Sequence, residues 1–261
     1  MKNEFSKLQE FLERLRNRLF LAYSHFQIWE ALREMRAPNK IKKKQAEKNV
    51  KTMNRFNSFF GPTAESHRRI FAIELFKFFD FDERALSIIE IKKFARINLE
   101  KLTVKEFKEF NSEREHLGNL VKNYEGIQNK DLRECERLLL KNGLNIKEKR
   151  IEKESSIWRL KKFRNQDLAH DQIKKEKIPL SVCEIETLFH LVEKILNLLS
   201  HKLNHDLMCR IKTNDNVKRH TKCVVEYLQR FELYRLKEIR EDHERELKMI
   251  EKITPTPHPI V

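Results

Sequence analysis

Apolar residues recur at alternating three- and four-residue steps along the start of the chain: Phe5, Leu8, Leu12, Leu15, Leu19, Ala22, Phe26 and Trp29. That spacing lies on one side of a helix and predicts a long amphipathic helix with a single buried seam. Pro38 is expected to end it, because the residue before a proline is pushed out of the helical region. Helix resumes with Val50, Met53, Phe56, Phe59 and Phe60. Gly61-Pro62 is expected to break or kink it, and Thr63 to cap the next segment. Ala64 to Phe79 is apolar on nearly every side, which predicts a helix central to a bundle or set in an oligomer interface.

Leu86, Ile89 and Phe94 predict a further helical segment, and Val104, Phe107, Phe110, Leu117 and Leu120 another behind a Thr103 cap. A charged helix comes next from Ile127 to Leu140, stopped by Asn142-Gly143. The next run is expected to end near Trp158-Arg159-Leu160-Lys161-Lys162, with Arg164 to Asp171 at the mouth of a helix–helix connection. Pro179-Leu180-Ser181 opens the clearest helix start, since Ser181 and Glu184 have capping-box spacing. Ile185, Leu188, Val192, Ile195 and Leu199 form its seam. A last helix is predicted from about Asn216 to Ile250, with Val224, Leu228, Phe231 and Tyr234 on its apolar face. The stretch from Arg240 to Glu246 is charged all round and reads as a solvent-exposed arm; the Pro-rich end after Thr254 reads as a frayed tail.

Composition supports the pattern. Only 4 Gly and 6 Pro occur in 261 residues, too few for the many tight turns of an all-β fold, so an all-α protein is expected. The reading is a helical bundle over residues 1–204, with a helical insertion at about 83–145, followed by a C-terminal helix and tail over 205–261. The formal net charge of +15 favours a polyanionic partner, nucleic acid before anionic membrane. Cys135, Cys183, Cys209 and Cys223 contain no C-x-x-C pair and are expected to be reduced thiols of a cytoplasmic protein. No secretion signal is expected from Met1-Lys2-Asn3-Glu4, and the run Ile70 to Phe81 is too short and too charged to span a bilayer.

The candidate chemistry lies in Phe163-Arg164-Asn165-Gln166-Asp167-Leu168-Ala169-His170-Asp171. Histidine moves protons near neutral pH, and arginine holds phosphate with a fork of donors. The plainer reading makes Arg164 a solvated helix-end cation and His170 a loop residue. Arg159, Lys161 and Lys162 precede the motif; they suit an RNA backbone, or equally a solvated basic face. Asp167 and Asp171 would repel a phosphate unless they point away or pair with Arg164.

An all-helical chain with Arg164, Asn165, Ala169 and His170 arranged as R-N-x-x-x-A-H before a bundle helix resembles the HEPN superfamily, and within it the abortive-infection (phage-defence) branch. The resemblance spans about Leu8 to Leu203. It implies a metal-independent, cofactor-free endoribonuclease in which two such motifs face each other in a homodimer. It further implies a toxin–antitoxin or antiviral-defence role, with an inhibitory antitoxin or defence-system partner. By that resemblance His170 is the general base or acid, Arg164 neutralises phosphate charge, and Asn165 orients the histidine or donates to phosphate. Arg18 and His25 fit the bare R-x(4-6)-H spacing as well, but inside an uninterrupted helix, where the match reads as chance. The alternative is a catalytically silent helical module that binds RNA or a partner protein. His201, His205, Cys209, His220 and Cys223 form a weaker constellation: a structural zinc is one reading, and the frayed end of a helix with small buried cysteines is the other.

Overall fold

A computed structural model describes residues 4–102, 127–168, 180–201, 209–211 and 216–253. The protein is all-α. The described helices are α1 (Glu4–Glu34), α2 (Lys43–Arg55), α3 (Asn57–Lys77), α4 (Ile88–Ile97), α5 (Asn129–Lys141), α6 (Ser156–Leu168), α7 (Val182–His201) and α8 (Asn216–Ile253). Between α5 and α6 lies a two-residue antiparallel hairpin, β1 (Leu144–Asn145) with β2 (Arg150–Ile151), pairing Leu144 with Ile151 and Asn145 with Arg150. None of the described helices is long and apolar enough to cross a membrane.

The chain forms two compact units: residues 1–29 with 64–215, and residues 30–63 with 216–261. The segment at 83–145 that reads as an insertion contributes Ile88, Ile91, Ala95, Leu132, Cys135 and Leu139 to the main core of the first unit. The predicted helix behind Thr103 lies outside the described residues.

The first unit's core is organised by the α1 seam, buried from Phe5 to Phe26. Phe26 meets Phe71 edge-on at 5.5 Å between centroids and lies 5.4 Å from Phe189. One aromatic thus joins α1, α3 and α7, and such pairs add about 0.5–1.5 kcal/mol each beyond their area. The Ser181 capping box forms as expected. Glu184 N–H donates to Ser181 Oγ at 3.2 Å, and Ser181 N–H donates to the Glu184 carboxylate at 2.9 Å.

In the second unit α2 packs on α8, with Ala46, Asn49 and Met53 of α2 buried. The buried Asn49 donates to the Met35 carbonyl at 2.9 Å and accepts from Gln229 at 2.8 Å. Lys218 bonds Glu30 at 2.9 Å and Glu34 at 3.0 Å, and Lys222 bonds Glu34 at 3.0 Å. These partners turn α8 away from its expected face. Val225 and Gln229 are buried, whereas Val224, Phe231 and Tyr234 are 47%, 57% and 61% exposed. The charged stretch 240–249 is exposed, as its sequence predicts.

Two helix boundaries also move. The break expected at Gly61-Pro62 falls at Phe56, where φ −105° and ψ 36° end α2, and α3 runs through Pro62. Pro62 stands near the start of α3, so its missing N–H removes only an early bond of the ladder. The run expected to end near Lys162 continues to Leu168, so Arg164 and Asn165 are helical residues.

Candidate functional site

The motif helix α6 begins at a tight local structure. Gly143 follows the end of α5 with φ +85°, a conformation that glycine adopts without penalty. Its carbonyl accepts from Glu152 N–H at 2.8 Å. Ser155 Oγ then accepts from Trp158 N–H at 3.1 Å, satisfying one of the open donors at the start of the helix. Ile157 and Leu160 are fully buried in the first unit, which fixes which face of α6 points outward.

On that helix Arg164 is held in a defined pose. Its Nε and Nη2 both donate to Asn165 Oδ1, at 3.0 and 2.8 Å. Its guanidinium carbon lies 4.3 Å from the ring centroid of Phe76, itself 3% exposed. A guanidinium stacked on a ring and bonded to a neutral amide keeps its full positive charge. Among the described residues no carboxylate forms an ion pair with it. The neighbouring Phe163 stacks on Phe71 at 6.3 Å and carries Arg68 4.9 Å from its centroid, which ties α6 to α3. His170 and Asp171 lie outside the described residues, as does the side chain of Asp167.

Asn165, Lys161 and Lys162 line one open cleft of about 690 Å³. Its other walls include Lys149, Arg150, Lys153 and Trp158, with Glu152 as its one acid among the described lining residues. Lys162 sits 5.3 Å from the Trp158 ring centroid. The third basic residue singled out from the sequence, Arg159, has a different role. It pairs with Glu184, and both side chains are only about a quarter exposed (27% and 25%). Arg159 therefore links α6 to the capping box of α7 rather than facing a ligand. The hairpin cations were hidden in the sequence. Lys147-Glu148-Lys149-Arg150 is visible as a charge run, but only pairing of β1 with β2 sets Lys149 and Arg150 beside α6.

Most of the proposed zinc constellation cannot be assembled from the described residues. His205 and the side chain of His201 lie outside them, and no group of three or more metal-ligating side chains forms among the rest. Cys209 is fully buried, its N–H bonded to Asn197 Oδ1 at 2.5 Å, and burial pushes its thiol up to about 12. Cys209 belongs to the hydrophobic core of the first unit.

His25 has a partner that nothing along the chain announces. Its Nδ1 lies 2.5 Å from Nδ1 of His67 on α3, with the ring centroids 4.7 Å apart. One ring must donate and the other accept, so the pair holds at most one proton between those nitrogens. One heptad away along the same two helices, Arg18 faces Glu74 at 3.4 Å and donates to the Leu86 carbonyl at 2.6 Å. Arg18 is thus committed to structure. Burial lowers the pKa of both histidines; Glu74 opposes the shift at His25, and the charge of His25 adds to it at His67. A histidine whose folded pKa is depressed binds fewer protons folded than unfolded, so stability rises with pH. This contribution is complete above the unfolded value of about 6.5 and is lost as pH falls below it. Thermal unfolding scanned from about pH 7.5 to 5 should show a falling Tm in wild type and a shallower fall in His67→Gln. Equal slopes in the two proteins would remove the pair as the cause.

No family model, curated protein or solved structure matches the chain.

Proposed function

We propose that this chain is a metal-independent endoribonuclease of HEPN type, acting as a homodimer with Arg164, Asn165 and His170 at its centre. The observation that carries the reading is the pose of Arg164: a guanidinium stacked on Phe76, bonded to the Asn165 amide and unpaired with any described carboxylate. A charge held in that way is suited to a phosphate oxygen, where it neutralises the negative charge that builds during reaction. In the proposed step His170 takes the proton of the substrate's 2′-hydroxyl. The freed oxygen attacks the adjacent phosphorus, and the P–O5′ bond breaks. The leaving oxygen takes a proton from an acid, giving a 2′,3′-cyclic phosphate and a 5′-hydroxyl. Lys161 and Lys162 hold the flanking backbone. In the cell the activity would be that of a toxin or phage-defence effector in the cytoplasm, restrained by an antitoxin or defence-system partner.

A second reading is a silent helical module that binds RNA or a partner protein. Its support is the exposed apolar face of α8, with Val224, Phe231 and Tyr234 turned to solvent. A time course on total RNA, with and without EDTA, separates the two. Cyclic-phosphate ends appearing at the same rate in EDTA are the expected result. Cleavage that EDTA stops would overturn the metal-independent reading, and absence of product would leave the binding module.

A further inference from the structure

The cations around α6 extend well beyond the motif. Lys149, Arg150 and Lys153 come from the hairpin and the turn after it, and Lys161 and Lys162 from the helix; all five are exposed and line the cleft that holds Trp158.

We propose that the hairpin and the first half of α6 form a binding track for single-stranded RNA, in which Lys149, Arg150 and Lys153 hold phosphates while Trp158 receives a base. Repeated cations match a chain of phosphates better than a single small anion. An aromatic ring between them selects a strand whose bases are unstacked, because a duplex hides its base faces. Arg150 is 3.4 Å from Glu148, an exposed pair that a phosphate can displace at little cost. That the strand is RNA rests on the ribonuclease reading; that a strand binds here does not.

The test uses the full chain carrying His170→Ala, so that binding is read without cleavage. Anisotropy of a short fluorescent single strand is measured across a salt series, beside a duplex of the same sequence. The triple variant Lys149→Ala/Arg150→Ala/Lys153→Ala changes only exposed side chains. Each phosphate contact to a single strand contributes about −0.7 to the slope of log K against log salt, so the triple variant should flatten the slope by about 2 and weaken binding about tenfold or more. Trp158→Leu should weaken binding by about tenfold with the slope unchanged. A control triple in the other unit, Lys44→Ala/Lys48→Ala/Lys51→Ala, should do neither. Equal loss in the control, equal or tighter binding of the duplex, or binding of phosphatidylserine vesicles in place of RNA would each overturn the track. Cleavage by the wild type is scored separately. A strand bound by a chain that never cuts would remove the ribonuclease reading and leave the track. A triple variant that binds and cuts like wild type would remove the track alone.

Discussion

His170→Ala is expected to abolish detectable RNA cleavage, and Arg164→Ala to slow it by about 10²–10³-fold, with the helical fold kept in both. The two losses have different causes. Removing the imidazole deprives the 2′-hydroxyl of its base, a contribution of about 10²–10⁴ in rate. Removing the guanidinium leaves the base in place but strips the charge that the phosphate meets as it expands its coordination. Arg164→Lys should recover little, because lysine keeps the charge without the fork and stacks poorly on Phe76. Asn165→Ala is the more searching variant. Its Oδ1 accepts two bonds from Arg164, so its loss frees the guanidinium to swing without changing net charge. An intermediate fall in rate is expected there, with RNA binding retained. Single-turnover rates across the four variants decide the matter. If Arg164→Ala cut at the wild-type rate, Arg164 would be a lid over Phe76 and nothing more.

Gly143→Ala is expected to be strongly destabilising. A Cβ at that position would stand 2.3 Å from Ser155 Cβ and 2.7 Å from Ser155 Oγ, and the backbone there has φ +85°. The left-handed backbone alone costs a non-glycine residue roughly 1–2 kcal/mol. The clash adds to that, because Ser155 is tied to the start of α6 through its bond from Trp158 N–H and cannot retreat freely. A total of about 2–4 kcal/mol is expected, enough to lower Tm by several degrees. Gly61→Ala provides the contrast. The added Cβ meets only Asn57, with Oδ1 at 3.4 Å, and the position is helical, so replacement should be neutral or stabilising by up to about 1 kcal/mol. Thermal unfolding of the two variants side by side tests the pair; similar Tm values would mean that the Gly143 turn relaxes. Because the clash falls on Ser155, which accepts from Trp158 N–H at the start of α6, Gly143→Ala should also weaken RNA binding at temperatures below unfolding.

The elements legible in the sequence are those whose cause is local. The α1 seam needed only its three- and four-residue spacing, and the start of α7 only Ser181 and Glu184 at capping-box distance. The end of α5 needed only Asn142 and a glycine able to take positive φ. The extent and charged end of α8 followed from its long helical pattern. Local signals fail where two elements compete for the same residue. Gly61-Pro62 has the strongest breaker chemistry in that region, yet tertiary context carries α3 through it and ends α2 at Phe56. The apolar face of α8 was visible, but Gln229 and Glu232 found partners in Asn49 and Arg55, and those polar contacts oriented the helix.

The sequence by itself determined that the chain is helical, that it carries a large positive charge, and that Arg164, Asn165 and His170 stand in one short motif. These are properties of composition and of near neighbours, and near neighbours share local backbone geometry. Only the tertiary structure decided which cation serves which purpose. Arg159 is drawn to Glu184, twenty-five positions away, while Arg164 settles on Phe76 and Asn165, and Lys149 and Arg150 line one cleft with Trp158. His25 meets His67 across forty-two positions. A cation's role depends on whether a carboxylate, a ring or water lies within a few ångströms, and packing between distant segments, not order along the chain, sets that distance.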